Sequence, residues 1–167
     1  VRELIHDLHD LTPARTRNRD DTMATGPRWR GSTPLPEETY RRTVSFPGDV
    51  CDVTNARLSA QDFLGGLARV APPSAPDRWD DILLVVTELA ANAVQYAPGR
   101  FGLTMRRTYD GVHVTMHDTS TVRPEARPFS PRTGGRGIGW RLVQTLCDQV
   151  SVIVTANGKD IHVFLPW

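Results

Sequence analysis

Glu88 and Asn92 stand four residues apart in DILLVVTELAANAVQYA, residues 81–97. On a helix that spacing places both side chains on one face. Asparagine offers a neutral oxygen to a hard cation such as Mg²⁺, which takes one or two protein oxygens and completes its octahedron with water and phosphate. A glutamate one turn away can orient or deprotonate an attacking hydroxyl. The same spacing also suits a buried Glu–Asn hydrogen bond. Asp118 closes an alternating apolar run and is followed by Thr119 and Ser120. A carboxylate there can accept a hydrogen bond from an exocyclic amine such as that of adenine, or can bond its own backbone in a turn. The third group is Gly134-Gly135-Arg136-Gly137-Ile138-Gly139. Glycines let successive N–H groups converge, and a following helix start adds partial positive charge, which suits phosphate. A merely flexible helix start is the alternative. No Gly-Lys-Ser/Thr follows, which excludes a Walker loop. The glycines come late, after a long loop, and not directly after a first strand, which argues against a dinucleotide-binding fingerprint.

These groups need elements to carry them. Residues 81–97 read as a helix stopped by Pro98-Gly99. Ile82, Val85, Val86, Leu89, Ala93 and Ala97 form an apolar arc, and Asp81, Glu88, Asn92 and Gln95 fall within roughly 60° of one another. So apolar a helix is expected to be buried, and polar groups buried without partners cost roughly 1–3 kcal/mol each. Upstream, residues 39–46 read as a strand closed by Pro47-Gly48. A helix capped by Asp49 or Asp52 runs to about Val70, and a Pro-rich loop follows over 71–76. Downstream the period changes to two. Residues 101–109 and 112–118 form a hairpin about Asp110-Gly111, with His113 and His117 on the outer face. Those histidines are about 13 Å apart on a strand, too far for one metal.

A basic loop over 121–132 carries Arg123, Arg127 and Arg132, and Arg136 follows. A helix spans 140 to about 147. Strands at 150–155 and 161–165 are joined by a turn over 156–159. This order predicts an α+β fold, a two-layer α/β sandwich whose mostly antiparallel mixed sheet has its helices on one face. The folded part is 39–167. Residues 1–38, rich in Arg, Asp, Thr, Gly and Pro, read as a mobile tail.

Composition narrows the function. An apolar share of 39% supports a core, and a net charge of +1 gives no bulk pull toward nucleic acid or membrane. Nineteen of the twenty basic residues are arginine, which reads as codon bias more than chemistry. The longest apolar run, residues 82–86, is far short of a membrane span of about 20 residues, and the N-terminus has no signal-peptide core. Cys51 and Cys147 have neither metal nor redox spacing and read as reduced thiols, so a cytoplasmic protein is expected.

Taken in order, Glu-Leu-x-x-Asn-Ala on a helix, a strand ending in Asp, a lid-like loop and Gly-x-Gly opening a helix resemble the GHKL ATPases. This is the Bergerat fold of gyrase, a heat-shock chaperone, histidine kinases and MutL. ELAANAVQYA, residues 88–97, looks like the N box. Asp118-Thr119-Ser120 looks like the first glycine box, and GRGIGWRLV, residues 135–143, like the second. Small size, a short lid and the lack of a phosphoacceptor helix pair resemble the RsbW-type anti-sigma-factor serine/threonine kinases, over residues 40–167.

The resemblance implies ATP/ADP and Mg²⁺ as ligands. Glu88 would be the catalytic base and Asn92 the Mg²⁺ ligand. Asp118 would take the adenine amine. Gly135, Gly137 and Gly139 would wrap the phosphates, with Arg136 and Ile138 in the same nucleotide-binding stretch. Implied partners are a sigma factor or equivalent client and an anti-anti-sigma STAS-domain protein phosphorylated on serine. A homodimer is implied too, with no direct nucleic acid and no membrane. The alternative is a nucleotide-binding interaction module of the same fold without kinase activity. Two positions depart from the family: Ser120 replaces a glycine, and Asp160 stands nearest the position of an adenine-side threonine.

Overall fold

The structure, a computed structural model, describes residues 40–125 and 138–167. Among the described residues eight elements follow in order: β1 (Arg41–Phe46), α1 (Cys51–Ala68), α2 (Arg78–Tyr96), β2 (Phe101–Arg107), β3 (Gly111–Asp118), α3 (Ile138–Leu146), β4 (Gln149–Thr155) and β5 (Gly158–Pro166). The expected tail over 1–38 lies outside the described residues. So do most of the basic loop and Gly135, Arg136 and Gly137.

The five strands form one sheet in the order β1-β2-β3-β5-β4. All four pairings are antiparallel, so among the described strands the sheet is not mixed. Two hairpins, β2–β3 and β4–β5, enforce this locally, and α1 and α2 return the chain from β1 to the adjacent β2. The α+β sandwich expected from the sequence is the observed architecture. Its core lies on one face of the sheet. Alternation delivers Phe101, Leu103 and Met105, then Val112, Val114 and Met116, then Ile161, Val163 and Leu165 inward. They meet Ala56, Ala60, Leu64 and Leu67 of α1 and Ile82, Val85, Val86 and Leu89 of α2. Each such aliphatic side chain contributes about 1.5–3 kcal/mol on burial.

The opposite face is polar. Thr43 meets Thr104 at 3.1 Å, His113 stacks on His162 with ring centroids 5.4 Å apart, and His117 Nδ1 lies 2.8 Å from Asp160 Oδ1. His113 and His117 share this outer face as the pattern required.

Three local expectations are corrected. First, α2 starts at Arg78, three residues early. Asp80 and Asp81 favour a helix N-terminus, and Trp79 packs on Trp167 at 6.0 Å, so the extra turn is held by contact as well as charge. Second, Asp52 lies inside α1, whose N-cap is Val50. Its Oδ2 accepts N–H bonds from Gly48 and Asp49, both at 2.9 Å, and its Oδ1 accepts Asn55 Nδ2 at 3.1 Å. Third, the last hairpin turns on Ala156-Asn157 alone, and Lys159 belongs to β5. Gly158 makes the tight turn possible: its φ is +149°, and a Cβ there would fall on the Asp118 carbonyl oxygen.

Candidate functional site

The polar seam of α2 is not buried in the core. Glu88 and Asn92 are half-buried and Gln95 is exposed. Periodicity points this face away from the apolar arc, and the gap between α2, α3 and the adjoining ends of β3 and β5 receives it. That gap is a cavity of about 490 Å³, within the range of small-molecule sites. No hydrogen bond joins Glu88 to Asn92 among the described residues, so the two are not a self-contained structural pair.

Glu88, Asn92, Asp118, Ile138 and Gly139 all line this one cavity. Residues far apart in sequence, from Glu88 to Gly139, are thus gathered by the packing of α2 on α3 and by strand register. Glu88 lies hard against α3: a Cβ on Gly139 would fall on its Oε2. Glycine is therefore required at the second residue of that helix if the carboxylate is to keep its place. Arg123 of the expected basic loop also lines the cavity. Arg127, Arg132 and Arg136 lie outside the described residues.

At the cavity wall formed by the sheet, Asp118 ends β3 and stands directly opposite Lys159 of β5. Opposed residues of an antiparallel pair project to the same face, and both are inward, 2% and 5% exposed. Lys159 Nζ lies 2.7 Å from Asp118 Oδ1, which also accepts the Ser120 N–H at 2.9 Å. Asp118 therefore bonds its own turn and an ammonium, and still borders the cavity. Lys159 was not among the residues singled out from the sequence. The signal was available: the inward series Leu165, Val163, Ile161 extended by one step of two reaches Lys159. Asp160, the residue taken as nearest to the threonine position, points to the other face and bonds His117.

Among the described residues no three His, Cys, Asp or Glu side chains form a metal cluster. Asn92 and Glu88 do line the cavity, and each side chain carries oxygen able to bind a hard cation. That donor set fits Mg²⁺, which needs few protein oxygens when water and phosphate complete its shell.

Residues 46–164 match the family of histidine kinase-like ATPase domains. Among solved structures, the chain resembles the RsbU and RsbW domains of Rv1364c from Mycobacterium tuberculosis. The TM-score is 0.53 at 12% identity, over 75% of this chain and 32% of that one; the present chain thus spans about a third of that protein's length. A weaker likeness is to the histidine kinase domain of a blue-light activated histidine kinase from Erythrobacter litoralis EL346. There the TM-score is 0.40 at 20% identity, over 66% of this chain and 60% of that one. No curated protein matches the chain. At 12% identity the first likeness is one of fold.

Proposed function

The chain belongs to the histidine kinase-like ATPase domain family, and from that premise we propose that it binds Mg·ATP and phosphorylates a serine on an anti-anti-sigma STAS-domain partner, as an anti-sigma-type regulator. Membership carries the coarser part, a nucleotide site in an ATPase-type fold. The finer part rests chiefly on one observation: a single cavity collects Glu88, Asn92, Asp118 and the start of α3. Two carbonyl- or carboxylate-bearing side chains line it from α2, a carboxylate lines it from the sheet, and Ile138 and Gly139 of α3 complete it.

In this reading Asn92 would hold Mg²⁺, which would supply charge neutralisation for the phosphates. Asp118 receives the adenine amine. The glycine stretch Gly135 to Gly139 would surround the phosphates with backbone donors. Glu88 takes the proton of the partner serine as its oxygen bonds to the γ-phosphorus. The bond from that phosphorus to the bridging oxygen breaks, and ADP leaves. The client is a sigma factor or an equivalent protein, the working form is a cytoplasmic homodimer, and no described helix is long and apolar enough to cross a membrane.

Thermal shift and phosphotransfer test the reading in two stages. Mg·ATP or Mg·ADP at about 100 times its dissociation constant should stabilise the fold by about 2.7 kcal/mol. Radiolabel from the γ-phosphate should then appear on a STAS-domain serine. No shift with either nucleotide defeats the nucleotide reading, whereas a shift without transfer to any STAS domain leaves a nucleotide-dependent binding module.

A further inference from the structure

The buried Asp118–Lys159 pair has bonding capacity left over. An ammonium has three protons to donate, and each carboxylate oxygen can accept more than one. Lys159 Nζ gives one proton to Asp118 Oδ1 at 2.7 Å and a longer bond, 3.4 Å, to the Ser120 carbonyl. Asp118 Oδ1 also takes the Ser120 N–H at 2.9 Å. Among the described residues the third Lys159 proton has no acceptor and Asp118 Oδ2 has no donor. Both residues line the cavity, and both are more than nine-tenths buried. A spare donor thus sits beside a spare acceptor on the wall of the cavity.

A ligand edge that fills both must place an N–H donor next to an acceptor. A 6-aminopurine does so, with its exocyclic amine beside ring nitrogen N1. A 6-oxopurine offers the reverse order, an oxygen acceptor beside an N1–H donor. Ile161 and Leu142 of the same lining supply apolar surface for the ring. We propose that Lys159 is a specificity-determining residue, its Nζ donating to N1 of an adenine whose amine donates to Asp118 Oδ2. The proposal rests on the nucleotide reading above and adds to it a residue with a direct contact to the base. Lys159 also holds the Asp118 carboxylate in place through their 2.7 Å contact, so that the acceptor and the donor are presented together.

The test is titration calorimetry of the full chain with Mg·ATP and with Mg·1-deaza-ATP, in which a C–H replaces N1. The native chain should bind the deaza analogue about ten- to a hundredfold more weakly, the usual worth of a hydrogen bond to a charged group. Lys159→Met should bind both ligands within about twofold of each other, because the contact that distinguishes them is gone. Where Lys159→Met alone does not fold, the paired change Asp118→Asn with Lys159→Met removes both charges and answers the same question. Equal binding of the two ligands by the native chain overturns the proposal, as does a deaza penalty that persists without Lys159. Failure of the native chain to bind either ligand defeats the nucleotide reading itself, and this proposal with it.

Discussion

Lys159 Nζ lies 2.7 Å from Asp118 Oδ1, between two residues that register places directly opposite each other on β5 and β3. Removing one member leaves the other buried without its ion-pair partner. Lys159→Met should therefore cost about 3–5 kcal/mol in urea denaturation. Replacing both, Lys159→Met with Asp118→Asn, should recover at least half of that loss. Additive losses would mean that the two groups do not depend on each other.

This pair also marks where the sequence stopped being readable. The hairpin β2–β3 follows from period-two alternation about Asp110-Gly111, and α2 from its apolar arc, because both signals are local. Lys159 escaped because Asn157-Gly158 is a turn signal wide enough to claim its neighbour, and only the β3–β5 register decides that β5 starts at Gly158. For α2, periodicity located the Glu88–Asn92 face correctly but not what it faces. Core and cavity differ only in whether another element covers them, and here α3 meets α2 at Glu88 but leaves the neighbouring face open to the cavity. The close approach of Glu88 to Gly139 is likewise a product of two helices packing.

The two thiols should behave differently. Burial pushes the Cys147 thiol up to about 12, with Asp148 and Asp81 adding to the effect, whereas Cys51 is exposed on α1. The thiolate is the reactive species. A thiol-specific reagent should modify Cys51 in the native protein and reach Cys147 only on unfolding, as peptide mapping before and after denaturation will reveal. Equal labelling rates in the native protein would contradict the packing around α3.

Burial holds the His113 imidazole below its ordinary value of 6.5, and the nearby charges of His162 and Arg106 push the same way. Below 6.5 the unfolded chain takes up a proton that the folded chain resists, so stability falls as pH falls toward the depressed folded value. His113→Asn removes this term. Its stability should decline less than that of the native chain between neutral pH and about pH 5, measured by denaturant midpoints across that range. Parallel curves would remove His113 from the acid response.

Gly139→Ala places a methyl group where Glu88 Oε2 now sits. The obstacle is the end of a flexible side chain, and alanine is about 1 kcal/mol better than glycine in a helix, so stability should change by no more than about 1 kcal/mol. The carboxylate, however, must swing away. If Glu88 is the base, phosphotransfer should fall steeply, and Gly139→Ala added to Glu88→Gln should slow the reaction little further. Independent, multiplying losses would separate the glycine from the glutamate.

Glu88 and Asn92 line the same cavity from one face of α2, yet the roles proposed for them differ. Neither supports the other through a hydrogen bond among the described residues, and both are half-buried, so replacing either should change stability by only about 0.5 kcal/mol. The consequences for ligand and turnover should then divide. Asn92→Ala removes the side-chain oxygen that would hold Mg²⁺ on the nucleotide, so affinity for Mg·ATP itself should fall. Glu88→Gln keeps size and hydrogen-bonding capacity but cannot take a proton. Its nucleotide affinity should stay within a few fold while phosphotransfer falls by roughly 10²–10⁴, the usual worth of a positioned base. Melting temperature, nucleotide affinity and phosphotransfer measured side by side decide the matter. Should Glu88→Gln lose nucleotide binding while Asn92→Ala keeps it, the assignment of base and metal ligand on α2 is reversed or wrong.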